Sequence, residues 1–97
     1  MRRRELLPGE IPHPGFLIRD EIERLGWTQK ELASKMDVAP NILSELMSGK
    51  RYVTPIIALK LEKNLKIEAE QWLQLQITYD LDVLRKRYKE EFGREEI

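Results

Sequence analysis

The sequence predicts an all-α chain of five helices with a long C-terminal helix, and three observations carry that reading. Apolar residues recur at intervals of three and four almost throughout. Start signals stand before the first four apolar runs, either a proline or a threonine followed by glutamate or proline. Glycines close two of those runs.

The first helix opens at Pro14, because proline at the first helical position loses no hydrogen bond. Phe16, Leu17, Ile18, Ile22 and Leu25 give it one apolar face, and Gly26 fits the left-handed residue that ends it. Thr28-Gln29-Lys30-Glu31 reads as a capping box. The short second helix behind it buries Leu32, Ala33 and Met36. A brief turn, Asp37-Val38-Ala39, leads to Pro40 at the head of a third helix carrying Ile42, Leu43, Leu46 and Met47 and stopping at Ser48-Gly49. Thr54-Pro55 starts the fourth helix, which runs through Ile56, Ile57, Leu59, Leu61 and Leu65.

The fifth segment alternates apolar and polar residues from Leu73 to Val83, a pattern that by period alone describes a half-exposed strand. A lone strand in a helical chain would have no pairing partner, so the segment is read as a helix. At about 100° per residue it then carries two stripes. Leu73, Ile77, Leu81, Leu84, Tyr88 and Phe92 form one, and Trp72, Leu75, Tyr79 and Val83 lie roughly opposite. One stripe packs on the chain's own domain and the second needs another surface. The second set, with Gln76, is the expected interface with a dimer mate or partner.

With 97 residues there is room for one domain and a tail, and a core of that size gains from dimerisation. The expected division is a basic arm at 1–12, a helix-turn-helix domain at 13–66, and a C-terminal helix with its tail at 67–97. The arm, with Arg2, Arg3 and Arg4, reads either as a minor-groove contact or as a disordered end. The absence of cysteine excludes a disulfide framework and a thiolate metal site. No apolar run reads as a signal peptide or a membrane span, so a cytoplasmic location with no membrane partner is expected. His13, the only histidine, has no organised catalytic partner in motif context and reads as a capping or packing residue. No metal spacing and no phosphate-cradling glycine loop is present. A non-enzymatic protein without cofactor is the expectation.

Two short helices joined by a tight turn are the core of a helix-turn-helix. Leu32, Ala33, Met36, Val38, Leu43 and Leu46 would pin their crossing from inside and hold the outer side of the third helix toward a major groove. An ordinary helical hairpin within a bundle is the alternative. If the groove reading holds, Ala39, Pro40, Asn41, Ser44, Glu45 and Ser48 face the bases, and Asn41 is the best reader because asparagine pairs bidentately with adenine. Phosphates would meet the amides at Thr28 and Gln29 and the cations Lys50 and Arg51. With 17 basic and 17 acidic residues the chain is formally neutral. Weak, strongly salt-dependent binding is therefore expected.

Trp27-Thr28-Gln29-Lys30-Glu31-Leu32-Ala33, then Val38, Leu43, Leu46 and Gly49-Lys50-Arg51, resemble the lambda-repressor-like, XRE (Cro/C1-type) domains. His13-Pro14-Gly15, Thr54-Pro55, Ala58-Leu59, the stretch from Trp72 to Gln76, and Tyr79-Asp80-Leu81 extend the resemblance to HigA/VapI-like antitoxins over roughly residues 8 to 84. The resemblance implies a homodimer that represses its own operon at an operator in double-stranded DNA and neutralises a RelE/HigB-like toxin that cleaves messenger RNA. A stand-alone repressor, or an interaction module whose helix-turn-helix no longer reads DNA, remains open. Four features depart from the family pattern. Asp37 stands at the usual glycine, and Ala39 replaces the serine cap of the third helix, a cap worth about 1 kcal/mol. Pro40 and Glu45 occupy the groove face, and Glu68-Ala69 replace the small cap and proline before the fifth helix.

Overall fold

The computed structural model describes residues 11–92, with side chains described through residue 89. The arginines of the basic arm, the Phe92 side chain and residues 93–97 lie outside that range. Helices α1 (Pro14–Leu25), α2 (Gln29–Met36), α3 (Pro40–Ser48), α4 (Pro55–Leu65) and α5 (Ala69–Phe92) follow in order, with no strand among the described residues. None of these helices is long and apolar enough to cross a membrane.

The helix boundaries form where the local chemistry sets them. Thr28 Oγ1 accepts from the Glu31 amide at 3.0 Å while the Glu31 carboxylate accepts from the Thr28 amide at 2.8 Å, a complete capping box. Thr54 caps α4 through its hydroxyl, which accepts from the Ile57 amide. Gly26 and Gly49 end α1 and α3 with φ of 74° and 81°. Asp37 takes the same left-handed conformation at φ 56°, at the position where a glycine is usual. Lys66 does so at the end of α4.

A single core holds Ile18, Ile22, Leu32, Ala33, Met36, Leu43, Leu46, Val53, Ala58, Leu61, Leu65 and Trp72. Within the helix-turn-helix α2 packs on α3, and the pair is clamped from two sides, by α1 on α3 and by α4 on α2. Polar contacts from α4 finish the end of α2. Lys60 Nζ donates to the Asp37 carbonyl at 3.3 Å, and Asn64 Nδ2 reaches the Lys35 carbonyl at 3.5 Å. Carbonyls at a helix end have no partner within the helix, so these donors hold the turn in place.

The fifth segment is a helix, and its polarity differs from the expectation. Trp72 is fully buried in the chain's own core, with its indole N–H donating to the Ile67 carbonyl at 3.0 Å. Gln76 is buried beside it, accepting from the Val53 amide at 2.9 Å and donating to Asp80 at 3.0 Å. Tyr79 is half-buried with its ring edge on His13, and Leu75 is half-buried. Of the five residues expected to face a partner, only Val83 is exposed. The inward stripe is the one that contains Trp72, because the largest apolar side chain gains most from the core. The outward stripe is Ile77, Leu81, Leu84 and Tyr88. The core also crosses the expected domain boundary at 66/67, since Ala69 and Trp72 belong to it.

The absent cap at Glu68 has a tertiary substitute. The Glu62 carboxylate, from the last turn of α4, accepts from the Ala69 amide at 2.8 Å. A negative group at a helix start is favoured there by the dipole as well as by the hydrogen bond.

Candidate nucleic-acid interface

The outward face of α3 is built by burying its opposite side. Leu43, Leu46 and Met47 sink into the core, and Asn41, Ser44 and Ser48 are left exposed on the other side. Ala39 and Pro40 are exposed at its start. Ala39 makes no side-chain cap, so the amides of the first turn of α3 have no donor-satisfying hydroxyl. The Ser48 hydroxyl donates to the Glu45 carbonyl at 3.2 Å.

At the start of α2, Thr28 is exposed and Gln29 half-exposed. The Gln29 and Lys30 amides belong to the first turn, where no helical carbonyl can reach them. Glu31 sits in the same turn and its carboxyl lies below its ordinary value, chiefly because the Thr28 amide donates to it, and secondarily through the Thr28 hydroxyl. A charged carboxylate there weakens the attraction for phosphate.

Beyond α3, Lys50 and Arg51 are exposed, but they are not equivalent. Arg51 donates through Nε and Nη2 to one oxygen of Glu45, at 2.9 and 2.7 Å. Glu45 is thus neutralised by its own chain, and the Arg51 guanidinium is turned onto a carboxylate instead of outward. The sequence alone places Glu45 among the base-facing residues and Arg51 at a phosphate. The two are six residues apart, and only the left-handed turn at Gly49 brings them together.

His13 organises this corner from behind. Its Nδ1 accepts from the Gly15 amide at 2.9 Å, capping α1, as expected for a capping or packing residue. Its ring meets Phe16 and Tyr79 edge-on at 5.5 Å each, tying α1 to α5. Gly15 has no side chain because a Cβ would overlap the Met47 carbonyl of α3 and the His13 ring. Gln76 holds the loop after α3 to α5 through the Val53 amide. Neither long-range role has a signal in local sequence, since each partner lies on another element.

The described residues thus bring all ten expected DNA-facing positions to the surface around α3 and the start of α2: Thr28, Gln29, Ala39, Pro40, Asn41, Ser44, Glu45, Ser48, Lys50 and Arg51. Comparison with known proteins gives this arrangement a family. The HTH_3 model, described as helix-turn-helix, matches residues 18–72. Antitoxin HigA-1 of Vibrio cholerae is 38% identical over 90 residues, covering 93% of this chain and 80% of that protein. Virulence-associated protein A' of Dichelobacter nodosus is 42% identical over 71 residues, 72% of this chain; the match spans 62% of that longer protein. An addiction module antidote protein of a HigA family from Coxiella burnetii has a solved structure with TM-score 0.80 and 27% identity, covering 91% of this chain and 97% of that one. The Pseudomonas aeruginosa antitoxin HigA, solved with the higBA promoter, shares the fold at TM-score 0.79 and 21% identity, covering 91% and 97%. The chain belongs to the XRE-type helix-turn-helix family and, within it, to the HigA-like antitoxins.

Proposed function

We propose that this protein is the antitoxin of a toxin–antitoxin pair, a homodimer that binds its operator through α3, represses its own operon and neutralises a RelE/HigB-like toxin that cleaves messenger RNA. It works in the cytoplasm and carries out no catalysis. The observation that carries the DNA part is the outward presentation of Asn41 and Ser44 while Leu43 and Leu46 are buried. The fold shared with a HigA solved on promoter DNA supports the same reading, and the 38% identity to an antitoxin supports the toxin partner.

The contacts divide by chemistry. Asn41 reads base edges, with Ala39 able to touch a thymine methyl. The first-turn amides of α2 and Lys50 position the backbone. With Glu45 and Arg51 paired to each other, few cations per protomer remain to neutralise phosphate, so affinity is modest and the slope of log K against log salt is small.

The test is co-purification from the native operon followed by a gel shift on the upstream promoter. A basic partner protein should co-purify, and Asn41→Ala should cost about 1–3 kcal/mol of preference for the operator over unrelated DNA. Specific promoter binding with no co-purifying partner would leave the stand-alone repressor. Partner binding without promoter binding would leave the interaction module.

A further inference from the structure

Three helices end around one opening. The last turns of α1, α2 and α4 carry Arg24, Lys35 and Lys63, and these cations rim a cavity of about 340 Å³ with Leu25, Trp27 and Leu65 as its apolar lining. The cavity is preformed. Asn64 Nδ2 donates to the Lys60 carbonyl at 2.9 Å and to the Lys35 carbonyl at 3.5 Å, which fixes the end of α4 against the end of α2. Leu25 and Trp27 pack on the core, and Lys35 Nζ stands 4.7 Å from the centre of the Trp27 ring. None of the ten expected DNA-facing residues lines this cavity. Helix α3 meets α1 at Gly15, nine residues before Arg24, or about 14 Å along the helix.

With Lys66, at the end of α4, the lining holds four cations and no carboxylate. Arg24 is engaged by Glu21 at 2.8 Å. Glu31, one turn before Lys35, keeps its carboxylate on the Thr28 amide. Lys35, Lys63 and Lys66 make no ion pair among the described residues. Cations at helix ends are favoured by the dipole, but three ends at about half a charge each do not balance three unpaired lysines. Nor does the dipole call for a half-buried indole between them.

The chemistry of the lining selects what it can hold. Helix ends present carbonyls, so no ring of N–H donors converges here on a compact anion such as phosphate. Lysines are flexible point charges and suit carboxylates spread along a chain. The apolar lining gains from a large apolar side chain that displaces water. We propose that this cavity is a docking site for an acidic segment of a partner protein. One large apolar side chain of that segment rests against Trp27 and Leu65, and flanking carboxylates meet Lys35, Lys63 and Lys66. Occupying the cavity leaves Asn41 and Ser44 uncovered, and neither the toxin nor the operator of the functional reading is needed for it.

Trp27 and Trp72 are the only tryptophans of the chain, and the fully buried Trp72 serves as an internal reference. The probe is a synthetic peptide with one phenylalanine between two triplets of glutamate, titrated into the isotope-labelled full chain and followed by NMR. It should shift the Trp27 indole signal and the amides of Lys63 and Lys66 saturably, leaving the Trp72 indole and the amides of α3 in place. Lys35→Glu/Lys63→Glu should weaken binding about tenfold or more with the thermal transition retained, and added salt should weaken it too. Lys63→Gln reads the same loss at smaller size should the double variant fail to fold. Replacing the phenylalanine of the peptide by glycine should cost about tenfold. A Trp27 signal unmoved at millimolar peptide, or unchanged affinity in the lysine variants, would overturn the proposal. Equal shifts from inorganic phosphate or from the glycine peptide would reduce the cavity to a patch of charge and overturn it as well. Tighter binding of a single-stranded oligonucleotide than of the peptide would assign the cavity to nucleic acid instead.

Discussion

At the residue scale, the pair formed by Glu45 and Arg51 sets the charge that the proposed recognition face presents to DNA. The carboxylate engages both Nε and Nη2 of Arg51, and each side chain is about 40% exposed, 39% for Glu45 and 45% for Arg51. An exposed pair of this kind contributes little to stability, typically under about 1 kcal/mol. Its larger consequence is electrostatic, because it withholds one cation from phosphate. Glu45→Ala should free Arg51, tighten promoter binding at low salt, and steepen the slope of log K against log salt by about 1 per protomer. Fluorescence anisotropy across a salt series measures both. An unchanged slope would mean that Arg51 already reaches phosphate in the complex.

The helix ends show which caps the chain uses and which it lacks. At Ala39 the backbone is extended, with φ −63° and ψ 144°, the conformation a capping residue needs, yet no hydroxyl is there. Ala39→Ser should therefore stabilise the fold by about 1 kcal/mol, read from the urea midpoint at constant m. The capping box of α2 makes stability depend on acid. The Glu31 carboxyl is held below its ordinary value by the Thr28 amide first and the Thr28 hydroxyl second. A depressed carboxyl contributes stability that is fully present above its unfolded value, about 4.3, and is lost as pH falls through the lower folded value. Urea melts from pH 7 to pH 3 should show wild type more stable than Glu31→Gln at neutral pH. The gap should begin to close below about pH 4.3 and vanish only once pH has fallen through the lower folded value, where the wild-type cap is uncharged as well. A constant gap would place the benefit of Glu31 in packing, not charge.

For the whole molecule, Trp72 is the joint between the helix-turn-helix and α5. It is fully buried among residues of the core, and its indole N–H donates to Ile67. Trp72→Ala should cost about 3–5 kcal/mol, a large share of the stability of a 97-residue chain, and thermal unfolding measures it. The loss should also weaken promoter binding, because Gln76, one turn on, holds the loop that carries Lys50 and Arg51. A Trp72→Ala protein with wild-type melting would contradict the packing of α5 as an integral part of the domain.

The five helices, the caps made by neighbouring residues and the outward side of α3 were legible in the sequence, since each depends on residues within a few positions of one another. Thr28 with Glu31, Pro14, Pro40, Thr54-Pro55 and the glycines at 26 and 49 are such local signals. The left-handed Asp37 was legible for the same reason. Which stripe of α5 turns inward was not. Both stripes have helical spacing and similar hydrophobicity, and only the space left between α1 and α4 decides that Trp72 fills it. The Glu62 cap on α5, the Gln76 latch on Val53 and the Arg51 clamp on Glu45 belong to the same class, formed by groups that meet only after the chain has folded back on itself. Sequence alone therefore determined the elements and the outward face of α3, because hydrogen-bond caps and helical periodicity act over one or two turns. The tertiary structure decided which residues lock that face in place and which apolar side of α5 is left outside, because side-chain volume and partner geometry act between elements.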